Sequence, residues 1–173
     1  MKQNIDVWKY APQILQAVGK GVLLTTQADG EVDTMTIGWG HLGIEWYKPI
    51  FIAYVRESRY TKQMLEQNGE FTVNIPYGDL DAKILGICGS KSGRDMDKFA
   101  ELGLIAEEPE VISVPGIRQL PLTLECKVIY KQKQDLSAIP QSAIDRYYPA
   151  DAEGKRDYHI AYFGQIVDAY IIE

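Results

Sequence analysis

Apolar and polar residues alternate along much of this chain, and the alternation predicts strands. In LPLTLECKVIY (120–130), Leu120, Leu122, Leu124, Cys126, Val128 and Tyr130 share one face, the period of two that marks a long strand. EFTVNI (70–75) sets Phe71, Val73 and Ile75 against Thr72 and Asn74, a half-buried strand with a polar face, ended by Pro76. KPIFIAYV (48–55) is an almost unbroken β-branched and aromatic run, which predicts a central strand covered on both faces. GVLLTTQ and EVDTMTIGW flank ADG, and Asp29-Gly30 reads as a hairpin turn because glycine accepts positive φ. A last strand is expected over 158–172. Helical spacing appears in APQILQAVGKG, with Pro12 in the first turn, Leu15 and Val18 on one side and Gly19 as the stop. Further helices are expected over 59–67, 79–87, 95–102 and 138–147.

Six or seven strands with hairpin links and short helices between them predict an α+β, mainly β fold, an antiparallel barrel with short peripheral helices. A chain of 173 residues is expected to form a single domain over 1–173. Its net charge of -6 and scattered basic residues argue against nucleic acid or an anionic membrane as partner. MKQNIDVWKY has no apolar core of signal-peptide type, and no apolar run approaches the roughly 20 residues that span a bilayer, so a cytoplasmic protein is expected. Cys88 and Cys126 fit neither a redox pair nor a zinc pattern, so buried thiols and no metal are expected.

Three stretches carry candidate chemistry. In SRYTKQMLEQNG a helix would begin at Ser58, with Arg59 and Thr61 beside it; Thr61 stands where a capping box places Glu or Gln, so no fixed anion meets the helix start. Free amides, the helix dipole, a guanidinium and two hydroxyls make an anion site of phosphate type, although a plain Ser cap fits the same residues. GICGSKSGRDMDKF (86–99) is rich in glycine, hydroxyls and cations ahead of a helix capped by Asp95; it reads either as an anion-binding turn or as a solvated loop. DTMTIGWGHLGIEW (33–46) puts Trp39 and Trp46 among glycines, as a wall for a planar heteroaromatic molecule or as core. The segment DRYYPADAEGKRDYH (145–159) is either a cover over such a site or an exposed crossing.

In this order, and together with KPIFIAYVRESRYT, NGEFTVNIP, LECKV and DYHIAYFGQIV, these stretches resemble the flavin reductase-like family of FMN-binding split-barrel proteins, in its flavoredoxin-like branch. The resemblance implies a split β-barrel that binds FMN as a homodimer, with the cofactor near the subunit interface. It implies that Ser58, Arg59 and Thr61 hold the phosphate, and that Met35, Thr36, Ile37, Gly38 and Trp39 line the isoalloxazine edge. Ser90, Ser92 and Lys98 resemble the second polar wall, Asn74 a further contact, and His159 and Phe163 residues near the ring or the nicotinamide of a hydride donor. The chain departs from the family at AVGKGVLL, which lacks a proline-rich approach to the first strand, and at Asp33, where many members have Asn. Two function classes follow: an oxidoreductase passing electrons from NAD(P)H or a redox protein through flavin to an acceptor, or a non-catalytic FMN carrier or sensor.

Overall fold

The computed structural model describes residues 1–173. In chain order the elements are β1 (Lys2–Asn4), a 3-10 turn (Val7–Tyr10), α1 (Ala11–Lys20), β2 (Val22–Ala28), β3 (Glu31–Ile37), β4 (Gly40–Glu45), β5 (Lys48–Arg56), α2 (Tyr60–Asn68) and β6 (Glu70–Ile75). Then come α3 (Ala82–Ser90), α4 (Lys98–Leu102), β7 (Ala106–Glu107), β8 (Gly116–Ile117), β9 (Leu122–Lys133), a second 3-10 turn (Leu136–Ala138), α5 (Gln141–Tyr147) and β10 (His159–Ile172). Every strand pairing is antiparallel. The main sheet runs β3-β2-β6-β9-β10-β5-β4, with β1 on β10, and β7 pairs β8 separately. This is the expected split-barrel architecture of antiparallel sheet and short helices.

The Asp29-Gly30 turn forms as expected, with φ of 52° and 82° at its two residues, the left-handed pair that matches strand twist in a tight hairpin. α1 has proline in its first turn and runs through Gly19 to end at Gly21, whose φ of 116° suits a residue without Cβ. Its buried residues are Ile14 and Val18, and Leu15 faces outward. α3 starts later than expected, where the Asp81 carboxylate accepts from the Lys83 amide. α4 is capped by Asp97 and not by Asp95, because the Asp97 carboxylate accepts from the amide of Ala100.

Three strand expectations are corrected. β5 lies second from the sheet end and alternates buried Phe51, Ala53 and Val55 with half-buried Ile52 and Tyr54, so one face is only partly covered. β6 is buried on both faces: Thr72 Oγ1 donates to the Pro115 carbonyl at 2.8 Å, and Asn74 Oδ1 accepts from the Ile117 amide at 2.9 Å, because β8 and its approach cover the polar face. Leu120 precedes β9 and joins a second apolar cluster with Leu23, Ile84, Cys88, Leu104 and Ile117. The main core gathers residues from β2, β3, β5, β6, β9, β10 and α1. β4 was not expected; it follows the Trp39 segment and returns into β5 through Trp46 and Tyr47 at φ of 50° and 59°. No helix is long and apolar enough to cross a membrane.

Candidate functional site

β5 leaves the core at Arg56, and α2 begins four residues later, so the chain between them opens at the surface. Arg59, not Ser58, is the N-cap of α2, and no side chain caps the helix start. The Ser58 amide and Oγ instead donate to Asp157 Oδ1 and Oδ2, at 3.0 Å and 2.6 Å. The expectation that no fixed anion meets this turn is thereby corrected: a carboxylate from the segment before β10 sits on it. Arg56 anchors that segment, Nη1 donating to the Asp157 carbonyl at 2.6 Å and Nη2 to the Tyr147 carbonyl at 3.0 Å.

Around this contact is a cavity of about 230 Å³ between Arg56, Ser58, Arg59 and Tyr60 on one side and Ser90 to Arg94 on the other, with Asp157 at its rim. Four cationic side chains, Arg56, Arg59, Lys91 and Arg94, face one carboxylate. Arg59 spends Nη2 on the Gly89 carbonyl at 2.6 Å, while Arg94 donates to the Ser58 carbonyl at 3.3 Å and lies over the Tyr60 ring. Ser90 Oγ donates to the Gly86 carbonyl and Ser92 Oγ accepts from the Arg94 amide, so both hydroxyls brace the loop that forms the wall. Cations in such excess over carboxylates suit a multiply charged anion.

A second cavity, of about 150 Å³, shares Arg56 and Arg59 with the first and is lined by Met35, Thr36, Ile37, Gly38, Trp39, Tyr54 and His159. The whole 35–39 segment expected to line a planar ring thus borders one cavity. Thr36 Oγ1 donates to the Leu85 carbonyl at 2.6 Å, which ties β3 to α3. Trp39 is 40% exposed, and its ring lies 5.1 Å from Tyr147 and 5.0 Å from His159. His159 is buried; its Nδ1 stands 2.9 Å from the Tyr148 hydroxyl. Burial, helped by the Arg56 and Arg59 guanidiniums and opposed by Asp157, lowers its pKa from 6.5 to about 4, so the imidazole is neutral near pH 7.

Four expected site residues lie elsewhere. Lys98 is 3% exposed and closed beneath the loop, with Nζ 3.0 Å from Asp33 Oδ1 and donating to the Thr34 carbonyl at 2.6 Å. Gly93 allows that closure, since a Cβ there would meet Asp33 Cγ at 2.5 Å. Thr61 is buried with its hydroxyl on the Met35 sulfur. Asn74 is fully buried, its amide shared among Thr25, Thr72 and Ile117. Phe163 packs on Tyr130 at 5.0 Å, because four residues along a strand carry it roughly 13 Å from His159. Cys88 is buried, and desolvation raises its thiol to about 11, which leaves it unreactive.

Sequence reading passed over Arg56, Tyr54, Lys91, Arg94, Tyr148 and Asp157. Lys91 and Arg94 stood inside the glycine-rich stretch already singled out, and Arg56 closed the strand before it. Nothing local marks Asp157, whose role comes from a contact 99 residues away in sequence.

This arrangement can be set beside known proteins. An uncharacterized protein of Escherichia coli K12, YddH, is 29% identical over 114 residues, covering 64% of this chain and 59% of its own. The chain spans about half the length of the curated relatives it matches. A flavoredoxin from Methanosarcina acetivorans superposes with a TM-score of 0.64 at 25% identity, over 88% of this chain and 68% of that one. The FMN-binding domain of a flavin reductases-like enzyme from Shewanella baltica OS155 gives 0.66 at 15% identity, over 99% and 77%. Residues 17–173 match the family model described as the flavin reductase like domain, and with the split barrel already established, the chain belongs to that family.

Proposed function

We propose that this chain binds FMN and serves as a flavin-dependent oxidoreductase, passing electrons from NAD(P)H or a redox protein through the flavin to an acceptor. The observation that carries the reading is the pair of adjoining cavities sharing Arg56 and Arg59, one cationic, the other partly apolar and lined by the aromatic rings of Trp39, Tyr54 and His159. Their chemistry fits a molecule with an anionic tail and a planar head. Asp157 supports the fit: its carboxylate already occupies the Ser58 amide and hydroxyl as an internal stand-in for a phosphate.

Bound flavin would supply the redox chemistry itself. The share of this chain is to hold and orient. Arg59, Arg94, Lys91 and the Ser58 donors would neutralise and hold the phosphate, Arg56 spans both cavities, and the backbone from Met35 to Gly38 would border the ring. Trp39 and His159 wall the second cavity.

A homodimer belongs to the same reading. β4 ends the sheet and exposes Ile44, Trp46 and Tyr47, a row of apolar surface at an open edge that a second copy would cover. Sedimentation equilibrium of the full chain tests it, and a monomer at micromolar concentration refutes it.

Visible absorption of the chain purified without added flavin, followed by release and identification of the chromophore, tests the cofactor. About one FMN per chain supports the reading, and a colourless protein that takes up no added FMN refutes it. Turnover of NADH or NADPH with an electron acceptor then separates an oxidoreductase from a carrier.

A further inference from the structure

Beside the second cavity, Gln134, Tyr148 and His159 form a closed hydrogen-bond circuit whose protons can be counted. The backbone N–H of His159 donates to Gln134 Oε1 at 3.2 Å, and the backbone N–H of Gln134 donates to the His159 carbonyl at 3.4 Å. A backbone N–H can only donate, so this contact fixes which end of the Gln134 amide is oxygen. The same Oε1 lies 3.0 Å from the Tyr148 hydroxyl. It has no proton to offer, so Tyr148 gives its only proton to Gln134. Tyr148 then presents lone pairs alone to His159 Nδ1, 2.9 Å away, and that nitrogen must carry the hydrogen. In a neutral imidazole, Nε2 is left as a bare acceptor. Nε2 has no partner in the protein and is not among the buried polar atoms left unsatisfied, and His159 lines the second cavity. The circuit is rigid as well as connected: Tyr148 is 3% exposed, its ring stands edge-on to the imidazole at 5.5 Å, and the Arg56 guanidinium lies over that ring at 5.3 Å.

We propose that Tyr148 and Gln134 are positioning residues that lock His159 in the Nδ1–H tautomer, so that Nε2 faces the cavity as an acceptor for an N–H of the bound heteroaromatic molecule. The identity of that molecule rests on the flavin reading above; the tautomer does not. The consequence is a preference: a ring edge carrying N–H is accepted at this wall, and one carrying only lone pairs is rejected, because two acceptors cannot pair.

Two-bond proton–nitrogen NMR on the full chain, labelled at histidine, reads the tautomer directly near pH 7.5. His41→Gln assigns the signals, as the chain has two histidines. Without flavin, His159 is expected to show a protonated Nδ1 and a bare Nε2. Gln134→Leu returns the Tyr148 proton to Nδ1 and should convert His159 to the Nε2–H form while the tyrosine ring stays packed; Tyr148→Phe should release the lock through loss of the acceptor. A wild-type Nε2–H tautomer, or a tautomer unmoved in both variants, overturns the proposal. With FMN added, the Nε2 signal should shift while Nδ1 keeps its proton, and Gln134→Leu should weaken FMN about tenfold, the worth of one hydrogen bond turned to repulsion. FMN that quenches Trp39 yet leaves Nε2 unmoved overturns the acceptor role. A chain with the expected tautomer and no FMN binding would refute the flavin reading and leave the lock standing.

Discussion

Lys98 and Arg59 are both cations packed beside the Gly89–Arg94 loop, yet they have opposite fates. Lys98 is closed under the 90–94 loop with every strong interaction spent on Asp33 and the Thr34 carbonyl. Arg59 gives one nitrogen to the Gly89 carbonyl and lines both cavities with the rest. A cation whose partners are all internal holds the fold; a cation with donors left over is available to a ligand. The same count separates Asn74, satisfied inside the barrel, from Ser58, whose donors are met by a side chain that an anion can replace.

The sharpest way to break this contrast is Lys98→Met. It strands the Asp33 carboxylate, which burial already pushes above its usual range, and is expected to cost about 3–5 kcal/mol of stability. Urea denaturation reads this, and a loss below about 1 kcal/mol would mean that the pair is not structural. Next in size is a pH effect at His159. Its pKa is depressed in the fold, from 6.5 to about 4, so its contribution to stability is full above the unfolded value and is lost as pH falls between the two. The expected loss is roughly 3 kcal/mol by pH 4. The slope of stability against pH over that range should flatten in His159→Gln, and an unchanged slope would show that the imidazole titrates freely.

Arg59→Ala is expected to leave the denaturation midpoint nearly unmoved while weakening FMN by about 1.5–3 kcal/mol, an order of magnitude or more in dissociation constant. Equal losses in stability and binding would erase the distinction from Lys98. Smallest is Asp157→Asn. Removal of the internal carboxylate should tighten FMN, or inorganic phosphate measured by calorimetry, by roughly tenfold. Weaker binding would show that Asp157 helps to build the site and does not compete for it.

Much of the fold was legible because its signals are local. The β2–β3 hairpin was written in Asp29-Gly30, and β9 in long apolar alternation. β4 was hidden because its turn is made by Trp46 and Tyr47, bulky residues in a conformation that glycine or asparagine usually supplies, so no turn signal separates it from β5. The full burial of β6 was hidden as well, since a strand covered by another segment over its polar face reads like one facing water. In the site, the 35–39 segment and the 58–59 and 90–92 positions converge on two cavities as the motifs implied. Lys98, Thr61, Asn74 and Phe163 do not, because residue type announces a polar or aromatic group and says nothing of which partner reaches it first.

Sequence alone determined the strand and helix periods, the glycine-rich and hydroxyl-rich loops, and through the order of its motifs the family. Those are matters of local spacing, and local spacing is what a chain carries before it folds. Tertiary structure decided which cation is spent and which is free, that Asp157 covers the Ser58 donors, and that Gln134 and Tyr148 settle the proton on His159. Each depends on groups far apart in the chain meeting within hydrogen-bond distance, and only the packed barrel fixes those distances.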